Sequence, residues 1–453
     1  MLLCLSDEET VDQIQENPYL QYFVGLPGYQ TQAPFVPSLF VEIRKRMGQA
    51  MFDAFHGAII DVVATKNPKE ASIPIEHDRV DNDDPPPPDE SHSTEETSLK
   101  QGKLIIDATV ANQAIRYPTD LSLLNEAREF SEQIIDILHS KRERKKNKPR
   151  TYRDNARKAY LAVVKLRRPG RKILRRGIKQ QLQYLRRNLK HIESLLEEWP
   201  PGTPIPLPYW LLHRYWVLPH LYQQQHEMYS HNVHRCDDRI VSISQPYVRP
   251  IVRGKQDKPV EFGAKLSVSL TGEGLAHVDR LRWDAYNEGS DLEGQVEAYK
   301  ERYGYYPEAV LGEPVYGTQT NRRYLKQRGI RFAGKPLGRP KKVTEENKEE
   351  LKRLKAQRQQ EYRERIPIEG KFGQGKNGYR LNYIRTKRAD TSLAWINSIF
   401  LVMNLLILLR VFLGLCKSGV LIAVLRTKRY MNRLWLWIVS SLRAQSARKF
   451  PYR

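Results

Sequence analysis

Three acidic residues, Asp107, Glu313 and Glu369, stand where elements of regular structure are expected to end or to face one another. Asp107 lies within Lys103-Leu104-Ile105-Ile106-Asp107-Ala108-Thr109-Val110, a short apolar, β-branched run that predicts a buried strand with its carboxylate near the C-terminal end. Glu313 follows the short strand expected at Ala309-Val310-Leu311-Gly312, and Glu369 closes a highly charged helix expected from about Thr344. Mg²⁺ takes hard oxygen ligands and keeps several waters, so about three carboxylates suffice to hold it. Two such ions about 4 Å apart stabilise the attacking and leaving oxygens when a phosphodiester is cut. Taken singly, an Asp at a strand end is commonly a turn or cap residue, and a Glu on a charged helix is usually solvated. Composition by itself points no further than a basic α/β protein with a charge suited to nucleic acid.

The elements that must position these acids follow from periodicity. Val260, Phe262, Ala264, Leu266, Val268 and Leu270 alternate as a half-buried strand requires. Thr271-Gly272-Glu273-Gly274 supplies a turn, and a second strand through Val278 to Trp283 makes a hairpin. Ser290-Asp291-Leu292-Glu293 reads as a capping box opening a helix with Leu292, Val296, Tyr299 and Tyr303 on one side. A helix from Thr318 to Arg328, Gly329 as its cap and a strand at Ile330–Ala333 complete a βα unit. Asp284 and Asp291 are alternatives to Glu313 as an acid of the site, with loop or cap roles favoured for both.

Between the first strand and the hairpin lies a region of another character. Leu124, Ala127, Ile134, Ile135 and Leu138 recur at helical spacing after a cap expected at Asp120. Residues 141–190 hold 21 Lys or Arg against two acids, Glu143 and Asp154. Ile178, Leu182, Leu185, Leu189, Ile192 and Leu196 form a heptad seam. Its expected role is internal packing, with dimerisation as the alternative. His226, His231, His234 and Cys236 superficially resemble a zinc set, but their spacing fits no familiar site and one thiol stands alone.

Composition narrows the partners. The 453-residue chain carries a formal charge of +23, an excess that favours a polyanion, nucleic acid first and an anionic membrane surface second. Cys4, Cys236 and Cys416 are too scattered for a disulfide framework and suit a reducing compartment. The N-terminus lacks the basic start and apolar run of a signal peptide. Residues 391–409 are free of charge and near bilayer-spanning length. Asn397 and Asn404 interrupt that run, so a buried helix is expected rather than a membrane anchor.

Residues 362–376, YRERIPIEGKFGQGK, place Tyr362, Arg365, Glu369 and Lys376 at the intervals of the Tyr-Arg-Glu-Lys motif, and in this the chain resembles bacterial insertion-sequence transposases of the DDE class. LIIDATV around Asp107, VEFGAKLSVSL, VLGEPVYGTQTNRRYLKQRGIRFAG and TSLAWINSIFLVMNLL resemble the other catalytic segments of that group. NPYLQYFVGL with PSLFVEIRKR resembles its N-terminal domain. The resemblance implies an α/β, ribonuclease H-like mixed sheet (residues 101–118 and 240–416) with a basic helical insertion (119–239). It also implies a small helical N-terminal domain (1–79), while composition, with Pro85 to Pro88 amid acids, Ser and Thr, marks an acidic Pro-rich linker (80–100) and a basic tail (417–453).

It further implies that Asp107, Glu313 and Glu369 bind two Mg²⁺ or Mn²⁺ ions, while Tyr362, Arg365 and Lys376 contact DNA phosphates. The implied activity is binding of terminal inverted repeats in double-stranded DNA, cleavage at the element ends and joining of the freed 3′ ends to target DNA. The implied setting is a homodimer assembled on DNA, in the cytoplasm at the nucleoid, without a membrane. Two departures are expected to impair this copy. Glu313 stands where the group carries Asp, and the helical sequence that precedes SDEETVDQIQENPY in related chains is short here.

Overall fold

The computed structural model describes residues 5–64, 100–142, 147–200, 202–252, 260–339, 344 and 347–417. The linker expected at 80–100, apart from Lys100, lies outside these residues, as do Cys4 and the tail beyond Lys417. Four helices come first, α1 (Asp7–Glu16), α2 (Pro18–Phe23), α3 (Ser38–Arg46) and α4 (Gln49–Ala64). Strand β1 (Lys103–Asn112) is followed by α5 (Asp120–Ser140), α6 (Arg153–Val164), α7 (Arg171–Glu197) and α8 (Tyr209–His231). Then come β2 (Pro250–Val252), β3 (Val260–Leu270), β4 (Ala276–Arg282), α9 (Leu292–Tyr303), β5 (Ala309–Leu311), α10 (Gln319–Gln327) and β6 (Arg331–Ala333). The long helices α11 (Lys348–Gly378) and α12 (Ala389–Lys417) follow.

The sheet is mixed. β1 runs antiparallel to β3, β3 antiparallel to β4 and to the short β2, and β1–β5–β6 are parallel. This strand order, with helices on both faces, is compatible with a ribonuclease H-like fold. Alternation along β1 divides its side chains between two cores. Ile105 joins Leu266, Val268, Leu311, Ile368, Phe372, Ile396 and Phe400 beneath α11 and α12. Leu104 and Ile106 join Leu292, Val296, Val310, Tyr316 and Leu325 beneath α9 and α10. Gly263, paired with Asn112, lets β3 approach β1, because a Cβ there would stand 2.0 Å from the Ala111 carbonyl oxygen.

Several local expectations shift. β3 is buried on both faces rather than one, because Ser267 and Ser269 lie beneath a polar network while Leu266, Val268 and Leu270 enter the core. No capping box opens α9. A 3₁₀ turn over Glu288–Asp291 precedes it, and the Asp291 carboxylate is taken by Ser267 and Arg280. The cap of α5 is Thr119, paired with Ser122; Asp120 instead accepts from Arg239 and Gln225. In α11 the helix continues past Glu369 to Gly378, even though Pro367 supplies no N–H. Ile368 and Phe372 anchor that last stretch in the core, and the Lys371 amine donates to the Gly274 carbonyl at 3.1 Å.

Helices α5 to α8 have a core of their own. The heptad residues Leu182, Leu185, Leu189 and Ile192 pack against Leu124, Ala127, Ile134, Ile135 and Leu138 of α5 and against α8, so the seam is spent within the chain. Arg128 is buried among them, paired with Glu132 at 2.5 Å and Asn125 at 2.8 Å. A smaller cluster packs Ile59 and Val63 of α4 with Leu275, Leu401, Ile407 and Leu408.

Helix α12 is long and apolar enough to cross a membrane by length and composition. Here Ala394, Ile396, Ile399, Phe400 and Met403 are buried. Asn397 donates to Gln49 at 3.0 Å, and Asn404 pairs with the Ala276 backbone at 2.7 and 3.0 Å.

That anchoring fixes the tautomer of His56. The Asn404 oxygen accepts from the Ala276 N–H, so its amide nitrogen faces His56 Nδ1 at 3.1 Å, and Nδ1 must be the acceptor. Burial, with the nearby charges of His277 and Arg302, lowers the His56 pKa to about 3, against the partial offset of Asp53 and Asp279. The unfolded chain therefore binds the extra proton between about pH 6.5 and pH 3, and stability is lost as pH falls through that window. Urea unfolding should show wild type losing about 1.6 kcal/mol more than His56→Gln between pH 6.5 and pH 5. Parallel pH profiles for the two proteins would remove this account of His56.

Candidate metal centre

The register of the sheet places the first two acids side by side. β1 pairs with β5 in parallel, Ile105 opposite Leu311, so two residues further on Asp107 and Glu313 stand side by side. Glu313 lies just past the end of β5 and Asp107 midway along β1, which its pairing with β3 carries on to Asn112 rather than ending near the acid as expected. Asp107 shares the face of Ile105, which is the face that α11 covers. Glu313 caps the 3₁₀ turn Pro314–Tyr316 directly after β5. Gly312 before it has little room, since a Cβ would meet Ile106 at 3.0 Å and Tyr316 at 3.2 Å. On α11, the burial of Ile368 and Phe372 fixes the helix rotation and carries Glu369 over the other two acids.

One carboxylate oxygen from each of Asp107, Glu313 and Glu369 lies within 4.8 Å of the others. Among the described residues this is the one group of three or more acidic, His or Cys side chains so gathered. The longer side chain of Glu313 thus still brings an oxygen into the group. The side chain of Asp107 is 12% exposed, whereas those of Glu313 and Glu369 are 44% and 52% exposed. One side of the cluster is held in the protein and the other faces solvent. Hard oxygen donors with an open side that admits water suit Mg²⁺ or Mn²⁺.

Electrostatics follow from that burial. Desolvation raises the Asp107 pKa to about 6, and the charges of Glu313 and Glu369 push the same way. The Ala108 N–H, which donates to Asp107 Oδ1 at 2.8 Å, and the Arg365 guanidinium pull it down. Arg365, four residues before Glu369 on the same helix face, touches all three acids. Its Nη1 is 3.3 Å from Asp107 Oδ2 and 3.4 Å from Glu313 Oε1, and its Nη2 is 2.7 Å from Glu369 Oε1.

Of the remaining motif residues, Tyr362 is exposed one turn before Arg365, whose guanidinium lies 5.7 Å from its ring. Lys376 is half-buried two turns beyond Glu369. The alternative acids fall elsewhere. Asp291 bonds to Ser267, on the sheet face opposite Val268, the register partner of Asp107. Asp284 pairs with Arg282 at 2.7 Å beyond the end of β4. The His226, His231, His234 and Cys236 set forms no such group. Two residues near the site carried no sequence signal. Tyr316 is buried with an unpartnered hydroxyl, its pKa raised by burial and by the charge of Asp107. Lys371 sits one turn from Ile368 with its pKa pushed down to about 8 by burial and by Arg410.

A curled mixed sheet that gathers three carboxylates under a helix defines the class of protein in general terms. Residues 310–406 match the family model described as a transposase DDE domain, which supports a DDE transposase family. The matched segment runs from β5 through most of α12 and includes Glu313 and Glu369. The uncharacterized protein ORF8 in the nfe locus of Rhizobium meliloti is 29% identical over 120 residues, 26% of this chain and 44% of that protein. The chain thus aligns with less than half the length of this curated relative. No solved structure matches.

Proposed function

We propose that the chain is a DDE-class DNA transposase of the Tyr-Arg-Glu-Lys group. In this reading it binds the terminal inverted repeats of an insertion sequence, cleaves at the element ends and joins the 3′ ends to target DNA. The observation that carries the reading is the convergence of Asp107, Glu313 and Glu369, two of them inside the segment that matches the transposase domain. Divalent ions held by these three acids supply Lewis-acid stabilisation of the attacking and leaving oxygens. The chain's own residues fix the geometry. The Ala108 N–H orients Asp107, the core contacts of Ile368 and Phe372 set the reach of Glu369, and the Gly312 turn sets that of Glu313.

Arg365 offers a planar fork suited to a phosphate, Lys376 a point charge, and Tyr362 a polar tip at the surface. The basic surface of α6 and α7 supplies salt-sensitive phosphate contacts along the duplex. The assembly on DNA is a homodimer, and the compartment is the cytoplasm at the nucleoid. A second reading, a DNA-binding relic with impaired chemistry, is favoured by one observation: Glu313 occupies the position at which the group carries Asp.

A paired nicking assay on the DNA flanking the coding sequence, with Mn²⁺, tests both. Misplacing a reacting group by about 1 Å costs as much as 100-fold, so Glu313→Asp should nick at least about tenfold faster than wild type. Equal rates would make Glu313 a full ligand and the wild type a live enzyme. If neither protein nicks nor retards these ends in a gel, the transposase reading falls.

A further inference from the structure

Three carboxylates gathered within 4.8 Å repel one another, and in this structure a single side chain offsets all three. The Arg365 guanidinium is buried on α11 with both terminal nitrogens engaged, at 3.3 Å from Asp107, 3.4 Å from Glu313 and 2.7 Å from Glu369. A Mg²⁺ or Mn²⁺ ion ligated at about 2.1 Å by these oxygens would stand nearly in contact with the guanidinium. Two cations cannot share that space in a half-buried site. On the reading that this cluster binds divalent metal and DNA, we infer that Arg365 is a built-in counter-cation that the ions must displace, and that a DNA phosphate receives it.

The route out is on the same helix. Long helical side chains lean toward the N-terminus, and Tyr362, three residues earlier, is exposed beside the guanidinium. A swing toward Tyr362 carries Arg365 from the acids to the surface along which DNA would lie. A phosphate offers the fork two oxygens in place of the carboxylates it leaves. Metal and DNA are then coupled through one side chain. DNA that draws Arg365 away tightens metal binding, and by linkage metal tightens DNA binding by the same factor. Arg365 is on this account a positioning residue whose departure opens the site.

Mn²⁺ titrations by calorimetry, on chelator-treated wild type, Arg365→Gln and Arg365→Lys, test this with a readout independent of cleavage. Arg365→Gln should bind Mn²⁺ about tenfold more tightly than wild type, within the usual range of such couplings. A short duplex should tighten Mn²⁺ binding to wild type, after subtraction of the duplex alone, and leave Arg365→Gln unchanged. Should Arg365→Gln fold poorly, Arg365→Lys, which keeps a charge but loses the fork, should lie between the two. Equal or weaker Mn²⁺ binding by the variants, or no effect of duplex on wild type, overturns the inference and leaves the metal site standing. Absence of Mn²⁺ binding by every protein overturns the metal reading itself.

Discussion

On the proposed transposase reading, Glu369→Ala is expected to lower metal-dependent cleavage by on the order of 10³-fold, the scale on which loss of one group stabilising transition-state charge is felt, while barely changing stability. The two halves of this prediction have different origins. Glu369 is one of three oxygen donors in a cluster too small to spare one. With two carboxylates left, an ion held there would lose a ligand and its fixed position relative to Asp107 and Glu313. Stability, in contrast, draws little on this side chain. It is 52% exposed, and its pairing with Arg365 faces solvent on one side, so the expected cost is within about 1 kcal/mol. Nicking rates with Mn²⁺ and urea midpoints on the same preparations check both halves. Cleavage at the wild-type rate would remove Glu369 from the site. A large loss of stability would mean that the activity loss reports unfolding.

How far the site could be read from the chain depends on how local each signal is. β1, the β3–β4 hairpin and the β5–α10–β6 unit were legible because period, turn glycines and caps all lie within a few residues of what they specify. Glu313 could be placed past a strand end for the same reason, but Asp107 stands midway along β1, because pairing with β3 extends that strand to Asn112. The length of α11 was not legible. Pro367 and four glycines from Gly370 to Gly378 oppose a helix locally, and only contact with the sheet through Ile368 and Phe372 overrides them. The partners of Arg365 were half legible. Spacing puts Arg365 and Glu369 on one helix face, but its contact with Asp107 joins residues 258 apart and depends on the sheet register. The role of Asp291 was misread for a similar reason. Its sequence neighbours make a capping box, yet a buried serine and an arginine on neighbouring strands compete successfully for its carboxylate.

Asp279→Ala is expected to cost about 3–5 kcal/mol, the range for breaking a buried, hydrogen-bonded ion pair by removing one partner. Asp279 lies on β4, where it accepts from Ser269 at 3.1 Å and Gln295 at 3.0 Å, contacts His277 at 3.1 Å and pairs with Arg302. Burial opposes its charge, but Arg302 and His277 outweigh that and hold the carboxyl well below the usual carboxylate range. Truncation would leave the Arg302 cation without its carboxylate and take one of two carboxylate partners from His277. His277 also reaches Asp53 of α4 at 2.9 Å, so the network ties that helix to the sheet. The exposed pair Arg282–Asp284 on the same hairpin provides the contrast, and Asp284→Ala should cost less than about 1 kcal/mol.

Urea unfolding of the two variants against wild type measures the difference, and amide exchange in α4 should rise in Asp279→Ala but not in Asp284→Ala. Equal costs for the two would mean that water reaches Asp279 and that burial does not set its worth. The expected inequality matters for function because Ser269 and Val268 share β3, and Val268 is the residue opposite Asp107. A network that fixes β4 and α9 against β3 therefore also fixes the strand on which the most deeply held acid of the carboxylate cluster depends.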